Sequence, residues 1–174
     1  MSDPVRTPNI IRWAKSLPKH CAVIYRFDNF DKKLARELRK ITLENSQQFL
    51  IRSKAEPDFA DGQHFKRETD LILISKTRQS NPSALLTLAA VKEGCYGASL
   101  PEIDGLLISA IFPSESPSAG TPIGVETLKK RTKDMNAPVF ALGGINIKTA
   151  PKLRGTNIAG IAAVGALKEE EYGR

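Results

Sequence analysis

Two pairs of small residues near the end of the chain have the types and the spacing of a phosphate-binding site. Gly143 and Gly144 directly follow the apolar run 138–142, and Val164 and Gly165 stand at the end of the last apolar run. Because glycine has no side chain, a phosphate oxygen can reach the backbone N–H groups, and a helix that starts there adds a favourable dipole. One glycine pair would indicate a tight turn just as well. Two such turns after neighbouring strands favour a phosphate site.

Short apolar runs alternate with helical patterns along the chain, which is typical of βαβ units. Helices are predicted over 10–17, 34–41, 81–94 and 125–133, with Asn81-Pro82 as the start of the third. Strands are predicted at 21–26, 49–51, 62–65, 71–75, 106–111, 138–142 and 158–164. Parallel strands joined by helices close into a barrel, so the pattern predicts an α/β fold, a TIM-type (β/α)8 barrel.

The predicted barrel forms one domain over residues 1–174, a length that can bury a sizeable core. Its first strand is expected to be absent or short, because Pro4 and Pro8 cannot donate to a central ladder. Seven strands would leave two exposed edges. A homodimer that covers them, or a strand encoded upstream, are both open expectations.

Composition limits the function classes. The chain is 41% hydrophobic and 26% charged, as in ordinary globular proteins, and its formal net charge is +7. No apolar run approaches the roughly 18 to 20 residues of a membrane span, and no signal-peptide core is present, so a cytoplasmic protein without a membrane partner is expected. The basic residues are scattered and aromatic residues are few, which argues against nucleic acid. Cys21 and Cys95 have no metal-binding spacing.

Four segments carry a resemblance to a known family. ALGGIN (141–146) followed by GIAAVGAL (160–167) resembles the end of the thiamine phosphate synthase and TenI family. ISAIFPSESPSAGTPIG (108–124) is similar to that family's loop with a Phe-Pro-Thr-x-Thr core, and ADGQHF (60–65) is similar to its Ala-Asp-Gly-Val-His-Leu signature. The resemblance extends over nearly the whole chain in the family's order.

The resemblance implies a reaction and a set of site residues. The family joins a hydroxymethylpyrimidine pyrophosphate to a hydroxyethylthiazole phosphate and releases pyrophosphate. Arg26 would clamp the pyrophosphate, and Ser75, at the end of its predicted strand, matches a serine near the same group. The thiazole phosphate would be held by Gly143, Gly144, Val164 and Gly165, with Ser114 and Ser116 in place of the family's two threonines.

The chain departs from the family where Mg²⁺ is expected. An Asn-Asp pair that would bind the metal is replaced by Ile51-Arg52-Ser53, and a second aspartate is replaced by Thr69, although Glu68 and Asp70 are neighbours. Two expected basic positions read Asp28 and Pro117. The implied Mg²⁺ is therefore doubtful in this chain. Nearby cations either replace the metal or form a solvated basic rim: Arg52, Lys54, Lys66 and Arg67.

Several functions stay open on the sequence alone. The first is a divergent synthase that binds thiazole phosphate or thiamine phosphate, with pyrimidine pyrophosphate as the second substrate. The second is a non-catalytic binding or regulatory protein on the same fold. A TenI-like thiazole tautomerase would need a histidine, and the chain offers only His20 and His64. A phosphosugar isomerase is disfavoured, because no general base stands at a predicted strand end.

Overall fold

The computed structural model describes residues 1–2, 7, 9–26, 30–52, 59–67, 69–89, 102–114, 120–133 and 135–164. Helices and strands alternate through this part of the chain, so the α/β class is confirmed. None of the described helices is long and apolar enough to span a membrane. The elements are α1 Ile10–Ser16, β1 Ala22–Tyr25, α2 Lys32–Glu44, β2 Gln48–Ile51, β3 Gly62–Phe65, α3 Leu71–Ser80, β4 Leu85–Ala89, β5 Gly105–Ile108, α4 Gly124–Lys133, β6 Val139–Leu142, a 3-10 helix Ala150–Leu153, and β7 Gly160–Ala162.

The chain divides into two compact units. The first comprises the described residues up to His64 together with Val164, and the second runs from Phe65 to Ala163. Seven strands lie in the described residues and follow chain order. The eight-stranded barrel and the single domain therefore stay predictions.

In the first unit, β1, β2 and β3 run parallel, with Tyr25 level with Ile51 and Ile51 level with Gln63. Asn9 and Asp31 cap α1 and α2 by accepting hydrogen bonds from backbone N–H groups of the first turn. Both helices confirm the sequence prediction. They cover one face of the strands with a shared core that includes Trp13, Val23, Tyr25, Leu38, Phe49 and Ile51.

Ser2 forms hydrogen bonds with the backbone at the end of β1. The Ser2 N–H donates to the Ile24 carbonyl at 2.9 Å, and the Arg26 N–H donates to Ser2 Oγ at 2.8 Å. Only residues 1–2, 7 and 9 are described before α1, so the expected loss or shortening of the first strand stays a prediction. Ser2 therefore satisfies ladder groups that a full strand would otherwise pair.

In the second unit, β4 to β7 run parallel in chain order. The structure corrects two predictions here. The run 71–75 is not a strand, because it begins α3, where the Asp70 carboxylate caps the helix by accepting the Ile72 N–H at 2.9 Å. The predicted helix 81–94 is wrong over Leu85–Ala89, which is strand β4, with Leu86 and Leu88 fully buried. Seven strands remain because β4 replaces the strand predicted at 71–75.

An aspartate stands just before β3 and another just before β5, and both accept hydrogen bonds from a helix arginine and from a backbone N–H. Asp61, just before β3, accepts two hydrogen bonds from Arg39 of α2, at 2.5 and 2.7 Å, and one from the Phe49 N–H at 2.8 Å. Asp104, just before β5, accepts from Arg78 of α3 at 2.6 Å and from the Leu86 N–H at 2.7 Å. Each aspartate thus ties a helix to the starts of two neighbouring strands.

Candidate functional site

The turn after β6 is built on two glycines in the left-handed region. Gly143 has φ 99° and Gly144 has φ 63°. A Cβ on Gly143 would lie 2.9 Å from Ala110 Cα, and one on Gly144 would overlap the Pro113 carbonyl oxygen. Both contacts are with backbone or its nearest atoms, which cannot move aside easily. The glycines are therefore required by the close approach of two loops, a role separate from any ligand.

That close approach fixes the segment that carries Ser114. The Ile111 N–H donates to the Leu142 carbonyl at 3.0 Å, and the Phe112 N–H donates to the Gly143 carbonyl at 3.1 Å. Ser114 follows Pro113 directly and is half-buried. The loop after β5 thus runs alongside the glycine turn, and the structure brings Ser114 together with Gly143 and Gly144.

The polar groups after the glycines are mostly engaged with one another. The Asn146 side chain accepts from the N–H groups of Lys148 and Thr149, and Thr149 Oγ1 donates to the Gly144 carbonyl at 2.8 Å. Among the hydrogen bonds described for this turn, none uses the N–H of Gly143, of Gly144 or of Ile145. These three groups are backbone donors that a phosphate could engage.

The helix predicted after the glycine pair is a 3-10 helix of four residues, Ala150–Leu153. It starts well beyond these donors, so the α-helix dipole expected at this point is not part of the site. Val164 is buried two residues beyond β7. Ser116 and Gly165 lie outside the described residues.

Ser75 is not at a strand end. It lies within α3, and its Oγ donates to Glu102 Oε1 at 3.1 Å. The placement on which its pyrophosphate role depended is wrong. The strand that stands in this part of the fold is β4, which ends at Ala89 and offers no hydroxyl there.

Three residues at the ends of the first unit's strands form a row that the sequence did not bring together. Since Tyr25, Ile51 and Gln63 are level, the next residues, Arg26, Arg52 and His64, are level as well. The Arg52 N–H donates to the Tyr25 carbonyl at 2.9 Å, which continues the ladder to this position. Successive side chains of a strand point to opposite faces. Because Tyr25 and Ile51 pack on α1 and α2, the strand-end row (Arg26, Arg52 and His64) points away from these helices.

The row is positively charged around a buried imidazole. Burial, first, and then the charges of Arg52, Arg26 and the N-terminal amine lower the pKa of His64 to about 4. His64 is therefore neutral at pH 7. Every charge that acts on it in this way is positive, and two of the three belong to the row.

The residues at the expected metal position do not fit Mg²⁺, which is bound by oxygen ligands. Ile51 is buried against the helices, and Arg52 carries a positive charge in the row. Asp70, a neighbour that could have substituted, caps α3. The described residues contain no group of three or more His, Cys, Asp or Glu side chains that could hold a metal ion. Ser53 and Glu68 lie outside the described residues.

Known proteins similar to this chain agree with the resemblance seen in the motifs. A putative thiamine-phosphate synthase of Geobacter sulfurreducens is 27% identical over 139 residues, which cover 78% of this chain and 65% of that protein. The chain thus spans a little under two thirds of the length of that relative. Putative thiamine-phosphate synthase 2 of Aquifex aeolicus is 32% identical over 137 residues, covering 75% and 73% of the two chains.

The fold has a counterpart among solved structures. Thiamine phosphate pyrophosphorylase from Pyrococcus furiosus superposes with a TM-score of 0.71 at 23% identity, covering 98% of this chain and 88% of that one. The sequence model of the family described as thiamine monophosphate synthase matches residues 22–167. That match covers most of the 174 residues, and the chain therefore belongs to the thiamine monophosphate synthase family.

Proposed function

We propose that this chain acts in thiamine biosynthesis by binding a phosphorylated thiazole, either thiazole phosphate or thiamine phosphate. The phosphate is held by the N–H groups of Gly144 and Ile145 and by the Ser114 hydroxyl. The observation that carries the proposal is the close packing of Gly144 against the backbone of Phe112 and Pro113. Ser114 is the next residue of that segment. Family membership supports the choice of ligand.

The chemistry of these donors suits a phosphate monoester. Hydrogen bonds to an ionised acceptor are shorter and about twice as strong as bonds between neutral groups. Backbone donors held by loop packing are already oriented before the ligand arrives, so little ordering free energy is spent on binding. The net charge of +7 favours the approach of an anionic ligand.

The family's reaction is the first candidate activity. In it, the bond between the pyrimidine methylene carbon and the diphosphate oxygen breaks, with the electron pair leaving on diphosphate. The thiazole nitrogen then supplies the pair for the new carbon–nitrogen bond. Arg26 and Arg52, on adjacent strands, supply positive charge for such a leaving group. A histidine-based tautomerase has less support, since His64 with a pKa of about 4 is a weak base at pH 7.

Binding is tested by titration calorimetry and thermal shift with thiazole phosphate, compared with the unphosphorylated hydroxyethylthiazole. We expect a rise in Tm with the phosphate only. Ser114→Ala should weaken binding about 10-fold or more through the loss of one charge-assisted hydrogen bond. Ser80→Ala is the matched control, because Ser80 ends α3 before β4 starts and its hydroxyl donates to the Thr77 carbonyl. Equal binding of both thiazoles would refute the phosphate site.

Activity is tested separately, by pyrophosphate release from the two substrates with and without Mg²⁺. Turnover that disappears in Ser114→Ala but persists in Ser80→Ala supports a synthase. Thiazole phosphate binding without any turnover supports the non-catalytic binding protein on the same fold.

A further inference from the structure

We propose that Thr149 is a positioning residue of the phosphate site, whose hydroxyl holds the peptide between Gly144 and Ile145 in the orientation that presents the Ile145 N–H to a phosphate oxygen. The inference rests on the proposed function, because it concerns the site assigned there to thiazole phosphate. It adds a residue that is not one of the ligand donors. Thr149 acts through this peptide rather than on the ligand.

The Thr149 hydroxyl closes the glycine turn with two short hydrogen bonds. Its Oγ1 donates to the Gly144 carbonyl at 2.8 Å and accepts from the Asn146 N–H at 2.8 Å. A hydroxyl has one hydrogen to donate and lone pairs that accept, so the two bonds use different parts of it. The hydrogen of the Thr149 hydroxyl is therefore committed to the Gly144 carbonyl.

A carbonyl held in this way also orients the N–H at the other end of the same peptide. The peptide between Gly144 and Ile145 is trans, so its carbonyl and its N–H lie in one plane and point in opposite directions. Since the carbonyl is directed at Thr149, the Ile145 N–H points away from Thr149. No hydrogen bond described for the turn uses this N–H. The bond to the carbonyl also polarises the amide, which makes its N–H a stronger donor.

The peptide needs such a restraint because it follows two glycines. Glycine populates positive and negative φ about equally, so the residue types of Gly143 and Gly144 leave the orientation of this peptide open. The buried Ile145 side chain and the backbone of residues 112–113 fix where the turn lies. Neither of them bonds to the Gly144 carbonyl, whereas Thr149 does.

The hydroxyl of Thr149 is diverted from the use that its position favours. Thr149 stands at the N-cap of the 3-10 helix, where a threonine side chain commonly accepts an N–H of the first turn, but it makes no such bond here. Instead, the Asn146 side chain fixes Thr149 by accepting its N–H at 3.1 Å, together with the N–H of Lys148 at 2.9 Å. The local network thus directs the hydroxyl back to the glycine turn rather than forward to the helix.

The test compares valine and serine at position 149, because valine keeps the branched shape without the hydroxyl and serine keeps the hydroxyl. Calorimetric titration of the full chain with thiazole phosphate should show about 10-fold weaker binding for Thr149→Val and binding within about 3-fold of wild type for Thr149→Ser. Thr156→Val is the matched control and should leave binding unchanged, because the Thr156 hydroxyl donates to the Leu153 carbonyl at 2.6 Å, beyond the glycine turn. Thr149→Ala serves if Thr149→Val does not fold.

An NMR measurement separates positioning from a purely structural role. Thiazole phosphate should shift the Ile145 amide proton downfield in the wild-type chain and in Thr149→Ser, and less in Thr149→Val. Equal binding by wild type and Thr149→Val, equal losses in Thr149→Val and Thr156→Val, or an Ile145 amide that does not respond to the ligand would each overturn the role of Thr149.

The same titrations distinguish this failure from failure of the proposed function. If Ser114→Ala weakens thiazole phosphate binding while Thr149→Val does not, the phosphate site stands and the positioning role of Thr149 is refuted. If the wild-type chain does not bind thiazole phosphate, both are refuted.

Discussion

Asp61 is expected to contribute more to stability than any surface ion pair, and Asp61→Ala tests this. The substitution removes the acceptor for both Arg39 nitrogens and for the Phe49 N–H. Phe49 is fully buried, so its N–H loses a partner that water cannot replace, at a cost of about 1–3 kcal/mol. The ion pair is only partly exposed, 19% for Arg39 and 24% for Asp61, and adds about 1 kcal/mol. The unfolding free energy should fall by about 2–4 kcal/mol.

Urea unfolding measures this loss, and at about 2–4 °C per kcal/mol the Tm should fall by roughly 5–15 °C. Asp61→Asn is the control, because its amide oxygen can still accept the Phe49 N–H while the charge is lost. It should cost about half as much. A double-mutant cycle with Arg39→Ala isolates the ion pair. A loss within about 0.5 kcal/mol for Asp61→Ala, or equal losses for the alanine and asparagine variants, would refute the reasoning.

Three further outcomes follow from single positions. Gly144→Ala should cost about 3 kcal/mol or more and Gly155→Ala about 1, since both have positive φ but only Gly144 faces backbone; equal losses in urea would contradict this. As the pH falls from 6.5 to 4, His64 becomes protonated in the unfolded chain but stays neutral in the native one, where its pKa is about 4. The unfolding free energy should therefore fall by about 3 kcal/mol over this range, and by less in His64→Gln. Ala159→Asp should raise the Tm. The Ala159 N–H already donates to the Val139 carbonyl, so an aspartate at position 159 would stand just before β7 as Asp61 and Asp104 stand just before β3 and β5. A lower Tm would refute this comparison.

Local patterns predicted most of the elements correctly. The striped helix α2 carries a helical period, and both it and the short strand predicted at 62–65 are confirmed. The run 71–75 failed because a short apolar run fits a buried strand or a helix equally well. The deciding signal was Asp70, a helix cap directly before the run. Leu71, Ile72 and Leu73 are largely exposed, so apolar content did not report burial here.

The site was predictable in part for the same reason. The residue types of Gly143 and Gly144 are enough to predict a turn, and the structure confirms it. Ser75 was misplaced together with its strand. The strand-end row could not be predicted, because the level of Arg52 with Arg26 and His64 is a property of strand pairing. The offsets from the strand ends give no common signal, since Arg26 and Arg52 directly follow β1 and β2 whereas His64 lies within β3.

Successive side chains of a strand point to opposite faces, and this alternation explains how replacing the expected metal-binding residues after β2 changes the chemistry. Of the neighbours Ile51 and Arg52, only the second points away from the helices, so it alone decides which charge the strand end attracts. An arginine there attracts an anion where a carboxylate would attract a cation. A guanidinium holds a diphosphate by charge and hydrogen bonds, but it does not supply the Lewis acidity that a metal ion adds to bond breaking, worth several kcal/mol. Such a site preserves diphosphate binding better than turnover. Any synthase activity of this chain should therefore be slow and insensitive to EDTA.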